Sequence, residues 1–372
     1  MDLIELHILQ SFPATCLNRD DVGAPKTAVF GGVQRARVSS QSWKRAIRFM
    51  ARELQPAFFA GTRTRFVLRE LTRLFQEHGV GEEVAQELAI AAADALGKVD
   101  KIEKGNVKTL LFFSPQELQN VVEETLKVDY AEAVENILGA QDDKKRSKAR
   151  GKLVKLVERA SKKLKAPVRD AADIAVFGRM VADDHTMMVE GAGMFSHALS
   201  THQASNEVEF FSAVDDAAEP GDEGAGHIGT LEYTSACYYR YVGLNLDLLR
   251  DEKHLAHFSG DEFRSVLDAF LRAALLAVPQ ARKNSMFGHT LPSFVLGLRR
   301  RGHPLSLVNA FEKPVPSRRA GYLEASKEAL VQHFEALGRT YGITPRVEAR
   351  IPDLPLDAFV TALMADTPDG EA

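Results

Sequence analysis

Between Val22 and Arg52 the chain carries seven basic side chains and no acid, although its formal net charge is −4. Lys26, Arg35, Arg37, Lys44, Arg45, Arg48 and Arg52 fall in a strand-like run, VQRARVS, and a helix-like run, SQSWKRAIRFMAREL. Ser39, Ser40 and Gln41 stand where that helix should begin and offer hydroxyls, an amide and unpaired backbone N–H groups. Lys44, Arg45 and Arg48 follow at i, i+1 and i+4, so Lys44 and Arg48 share a helical face. A helix start beside a basic stripe suits a phosphodiester backbone. The alternative is a solvated basic helix making surface ion pairs.

A second run is denser. From Lys144 to Arg169 twelve basic residues face one acid, Glu158. Such a helix repels itself unless a polyanion lies along it. Leu153, Val154, Leu156, Val157 and Leu164 reserve one face for a core, so the charges should project outward. Catalytic signatures are poor. There is no GxSxG, Gly151-Lys152 lacks the upstream glycine of a phosphate loop, and Gly191-Ala192-Gly193 ends wrongly for a dinucleotide fingerprint. His254 and His257 have no zinc partners nearby and read as surface histidines. Asp20 and Asp21, next to Arg19, form the one carboxylate pair able to do metal or acid–base work; the plainer reading is that they order their loop through Arg19 and backbone N–H groups.

These groups need a scaffold. A chain of 372 residues, 45% hydrophobic and 26% charged, has room for two modest domains or one with large insertions. Two distant cysteines, Cys16 and Cys237, fit a reducing cytoplasm, and neither a signal peptide nor a membrane span is legible. Leu3 to Phe12 reads as a buried strand. From about Gly61 to Arg169 the texture is almost purely helical, with Ser114-Pro115-Gln116-Glu117 a capping box. Strands are expected at Asp173–Met180, Phe195–Gln203 and Glu207–Val214. GTLEYTSACYYRYVGLN then reads as a long strand. Glu207–Val214 and the segment from His227 form a hairpin, in which Phe210, Phe211 and Ile228 should face each other as exposed apolar groups. A helix at Asp261–Val278, a strand at LPSFVLGLRR, a last helix at Leu323–Leu337 and a frayed tail complete the chain. The outline is a βαββαβ sheet with a helical and a hairpin insertion. It resembles an RNA-recognition fold without the usual aromatic stacking motif.

Ordered blocks make the likeness specific: CLNRDD, K…FGG and RARVSSQSWKRA within Cys16–Ala46, then DIA…GRM, HALSTHQ, FSAVDD, HIGT, YYRYVGLN and NAFEK. Together they resemble the CasC-type backbone subunit of the type I-E CRISPR Cascade complex. The resemblance implies an α+β chain with a modified RRM-like (ferredoxin-like) palm, a helical fingers insertion and a β-hairpin thumb. Its parts would be palm at 1–60, fingers and web at 61–189, palm at 190–202, thumb at 203–230 and palm again at 231–372. It implies a cytoplasmic, non-enzymatic subunit without cofactor or metal that stacks with its own copies as a filament on CRISPR guide RNA. Further implied partners are target DNA and the other Cascade subunits: large, small, five-prime-end and guide-processing. Lys26, Ser39, Gln41, Lys44, Arg45 and Arg48 would hold guide phosphates, and Met180 would lie against a guide base. Phe210, Phe211, Val214 and Ile228 would belong to the thumb wedge, and Lys144, Lys145 and Lys148 would steer target DNA. The rival is a metal-dependent ribonuclease using Asp20 or Asp21, as in related backbone subunits.

Overall fold

The computed structural model describes residues 1–101, 105–161, 168–180, 187–213, 227–279, 281–282, 284–316 and 321–365. The chain divides into two compact units. A sheet unit comprises Met1–Gln55, Ala192–Asp251 and Ser259–Ala372, and a helical unit comprises Pro56–Gly191 and Glu252–Phe258. The fold is α+β.

Among the described residues, nine strands form one antiparallel sheet. Across it lie Val347–Ile351, Phe294–Arg301, Asp2–Thr15, His227–Asn245, Ala198–Ser200, Val33–Val38 and Thr27–Phe30. The long strand His227–Asn245 also pairs with Glu207–Ala213 near its start and with Gly193–Phe195 near its end. Asp2–Thr15 sits centrally, with Leu3 opposite both Asn245 and Arg300. Asp2 to Leu9 are all buried, so both faces of this strand are covered.

Alternation sends successive side chains to opposite faces. On one face Leu9, Tyr239 and Tyr241 join Leu330 and Phe334 of the helix Leu323–Tyr341 in a core. Helices Ser40–Leu54 and Gly260–Leu276 pack against each other, and Arg240 bridges them from the long strand. Its guanidinium lies 4.1 Å from the centre of the Trp43 ring and donates to the Ala274 carbonyl at 2.7 Å and to Gln10 Oε1 at 3.2 Å. Burial without a carboxylate partner among these contacts lowers the Arg240 pKa to about 9. Trp43, Ile47 and Ala51 recur at helical spacing and are buried, which fixes the rotation of the Ser40–Leu54 helix.

The helical unit packs Val67–Glu77, Glu82–Gly97, Pro115–Leu126, Ala131–Leu138 and Asp143–Ser161 around one core. The capping box forms as read: Ser114 Oγ accepts from Glu117 N, and the Glu117 carboxylate accepts from Ser114 N.

Several expectations need correction. DIAVFGRM is a short buried helix, Ala172–Phe177, because six apolar-rich residues carry too little periodicity to separate helix from strand. The helical region also contains two small two-stranded pairings, Thr62–Thr64 with Leu111–Phe113 and Val99–Lys101 with Asn106–Val107. Leu323–Tyr341 is followed by the strand Val347–Ile351 and the helix Leu356–Met364. Ile228 pairs with Ser212, while Phe211 stands opposite Gly229 and Phe210 opposite Thr230. His254 is buried and donates from Nε2 to the Glu190 carbonyl at 2.7 Å. Val214, Leu164 and the tail 366–372 lie outside the described residues.

Candidate nucleic-acid interface

The loop before the second strand is self-ordered. Asp20 Oδ1 accepts from Val22 N at 3.1 Å and Ala24 N at 2.9 Å, and Lys26 N donates to the Asn18 carbonyl at 3.0 Å. Asp20 is thereby engaged as a turn-forming carboxylate, and Asp21 is exposed. Among the described residues no group of three or more His, Cys, Asp and Glu side chains could hold a metal ion. The loop then reaches the helix: Asn18 Oδ1 accepts from Ser39 N at 2.9 Å, and Ser39 Oγ caps Ser42 N at 3.3 Å. Ser39 is 6% exposed, so its role in place is to cap the helix.

His197 completes this start. Its Nδ1 accepts from Ser40 N at 2.9 Å, which requires the neutral ring. Partial burial lowers its pKa, and nearby Arg37 and Lys26 lower it further. Lys44 Nζ lies 5.2 Å from the centre of the Phe195 ring, two residues before His197. The sheet unit thus gathers Lys26, Arg37, Lys44, His197 and the Ser40–Gln41 helix start on one shelf. Gln41 is exposed, and Lys26, Arg37 and Lys44 are half-buried. Cations with their stems held in place around a capped helix start make a surface along which an extended polyanion can lie. Arg37 and His197 carried no individual role in the sequence reading; charge marked the first, and only the fold places the second.

The basic island is not uniform. Arg35 is fully buried and donates from Nε to the Phe30 carbonyl at 3.2 Å, from Nη1 to Ser200 at 2.9 Å and from Nη2 to Phe311 at 2.7 Å. It is a structural clamp. Gly31 lies beside it at φ +60°, where a Cβ would fall 1.7 Å from the Glu312 carbonyl oxygen. The FGG, RARV, STHQ and NAFEK blocks therefore meet around one arginine. Arg48 also departs from the expected outward stripe. It is 8% exposed, with its guanidinium 4.9 Å from the centre of the Phe49 ring, and the exposed positions of the helix run through Gln41, Arg45, Phe49 and Arg52.

The remaining residues lie elsewhere. Phe210 is 67% exposed on the hairpin, whereas the Phe211 ring folds over Gly229. Ile228 is placed by its backbone pairing alone. In the helical unit Met180 is 82% exposed. The chain before it is pinned by Arg179, which donates to Glu117 Oε1 at 2.7 Å, to the Met187 carbonyl at 2.9 Å and to the Phe112 carbonyl at 3.2 Å. Gly178, at φ +77°, passes so close to Gly191 that a Cβ would meet its nitrogen at 3.0 Å. Lys144, Lys145 and Lys148 are exposed on Asp143–Ser161, with Lys145 Nζ 3.6 Å from Asp142. Arg150 on the same helix is paired with Glu87 through bonds of 2.7 and 2.6 Å. No helix among the described residues is long and apolar enough to cross a membrane.

This mixed α+β fold has solved counterparts. A chain from "CRISPR RNA-guided surveillance complex, pre-nicking" superposes with a TM-score of 0.78 at 27% identity, over 97% of this chain and 100% of that one. A chain from "CRISPR RNA-guided surveillance complex" shares the fold, with a TM-score of 0.58 at 23% identity over 98% and 97%. Residues 4–358 match the family described as CT1975-like protein, and the chain belongs to that family. No curated protein matches the chain.

Proposed function

We propose that this protein is the CasC-type backbone subunit of a type I-E Cascade, a non-catalytic RNA-binding protein that oligomerises along CRISPR guide RNA and presents it to target DNA. The observation that carries the reading is the shelf of Lys26, Arg37, Lys44, His197 and the Ser40–Gln41 helix start. It supplies positive charge beside the positive end of a helix without a fixed base-reading pocket, which suits a protein that grips phosphates while base pairing reads sequence. The strand order Phe294–Arg301, Asp2–Thr15, His227–Asn245, Ala198–Ser200, with helices Ser40–Leu54 and Gly260–Leu276 after the first and third of these in sequence, supports an RRM-like palm. On this reading the helical unit is the fingers, Glu207–Ala213 with the start of the long strand is the thumb, and Lys144, Lys145 and Lys148 steer target DNA.

Purification with the other complex subunits tests the proposal. The protein should carry RNA of uniform length, with several copies per RNA, and should not shorten target RNA in magnesium. RNA of random length would point to a general single-strand binder. Magnesium-dependent cleavage lost in Asp20→Ala or Asp21→Ala would make it a nuclease.

A further inference from the structure

A groove of about 510 Å³ opens in the sheet unit behind the helix start. Its walls are mixed: Leu17, Ala46, Met50 and Pro279 are apolar, and Phe49, Arg45, Arg19 and His289 are exposed at the surface. Volume and lining are those of a small-ligand cleft rather than a packing defect. Glu53 is its one acid against Arg19 and Arg45.

The aromatic and cationic groups are stacked. Arg45 Cζ lies 4.6 Å and Arg48 Cζ 4.9 Å from the centre of the Phe49 ring. Across the groove His289 stacks with the 72% exposed ring of Phe287, their centres 6.5 Å apart and their planes at 18°. An exposed phenylalanine topped by a guanidinium is a platform on which a base of any identity can continue the stack. Arginines on the rim can meet the phosphate of the same nucleotide.

The groove also continues the shelf. Asn18, which holds the Ser39 N–H, and Ser42, which that cap satisfies, both line it. Phe49 follows Ser42 by seven helical positions, about 10 Å along the axis, a distance one or two nucleotides can span.

We infer that this groove takes an unstacked nucleotide of single-stranded RNA, with its base on the Arg45–Phe49 platform and its phosphate toward Arg19 and His289. The inference rests on the RNA-binding reading above and adds to it a base-accepting site distinct from the phosphate shelf.

The test uses the full-length chain and a single-stranded oligouridine. The sequence has one tryptophan, the buried Trp43, so Phe49→Trp adds a reporter to a nearly constant background. Its added emission should be quenched in proportion to RNA bound. Phe49→Ala should weaken oligouridine binding roughly 5- to 150-fold, the range for loss of one base–aromatic stack. Phe49→Tyr should stay near wild type, as should Leu54→Ala, an exposed apolar change on the same helix outside the groove. Unquenched Phe49→Trp with wild-type affinity in Phe49→Ala would overturn the inference while leaving the RNA-binding reading intact. So would a Phe49→Ala variant that binds RNA normally and loses only self-association, since the groove would then hold protein. Failure of the wild-type chain to bind RNA would overturn both.

Discussion

Two basic regions of this molecule look alike in sequence and differ in physical character. In the island from Lys26 to Arg48 every cation but Arg45 is embedded. Arg35 is consumed by backbone carbonyls, Arg48 is buried, and Lys26, Arg37 and Lys44 are half-buried around a capped helix start. On the helix Asp143–Ser161 the charges at 144, 145, 146 and 148 stand in solvent on flexible stems. An embedded cation has already lost much of its side-chain freedom, so little further entropy is lost when a phosphate arrives. An exposed lysine retains its hydration and mobility, attracts polyanions at long range and fixes none of them. The first region suits a resident ligand and the second a passing one.

The contrast breaks most sharply at Arg35 and Arg37. Arg35→Ala leaves several buried carbonyls without donors and should destabilise the fold by about 3–5 kcal/mol. Arg37→Ala should melt near the wild-type temperature while weakening RNA binding. Equal melting losses for the two would erase the distinction between clamp and shelf. Next in size is the double change Lys26→Ala with Lys44→Ala. It should flatten the log-affinity against log-salt slope for single-stranded RNA by about 1.4, near 0.7 per phosphate contact. An unchanged slope would return both lysines to ordinary surface charge.

Reversing Lys144, Lys145 and Lys148 to Glu probes the other side. Assembly with guide RNA should be intact, and the association rate with duplex DNA should fall, most steeply at low salt. Failed assembly with normal DNA capture would contradict the assignment. The smallest effect concerns His197. Its folded pKa lies below the ordinary value, so its contribution is complete above about pH 6.5 and is lost as pH falls through the lowered value. His197→Asn keeps an acceptor for Ser40 N but does not titrate, and should lose less stability than wild type between pH 7 and pH 5. Equal losses would remove His197 from the pH response.

The parts legible in sequence were those with local signals. The capping box located the Pro115–Leu126 helix, and alternation located the strands Glu207–Ala213 and His227–Asn245. Ala172–Phe177 reads as a strand because a short apolar run satisfies both periods, and Val347–Ile351 is missed although V-E-A-R-I alternates at the strand period, because five residues make a short signal. Within the site, charge could be read but burial could not. Arg35, Arg37 and Arg48 are equivalent letters until the sheet and Trp43 decide which ones face water. His197 and Asn18 were visible only as members of blocks, because each acts through a backbone N–H that the fold brings to it.

The central position of Asp2–Thr15 has a consequence for how the chain is made. This strand leaves the ribosome long before its two hydrogen-bonded neighbours, which include residues 245 and 300. At ordinary elongation rates of about 5–20 residues per second, a strand built to be buried on both faces waits roughly 15–60 s for its second neighbour. The 56–191 segment, whose partners are mostly local, can close during that interval. Newly made chains should therefore be most vulnerable to aggregation and proteolysis late in synthesis, and a translational pause upstream of Phe294 should lower the yield of folded protein more than one downstream of Arg301.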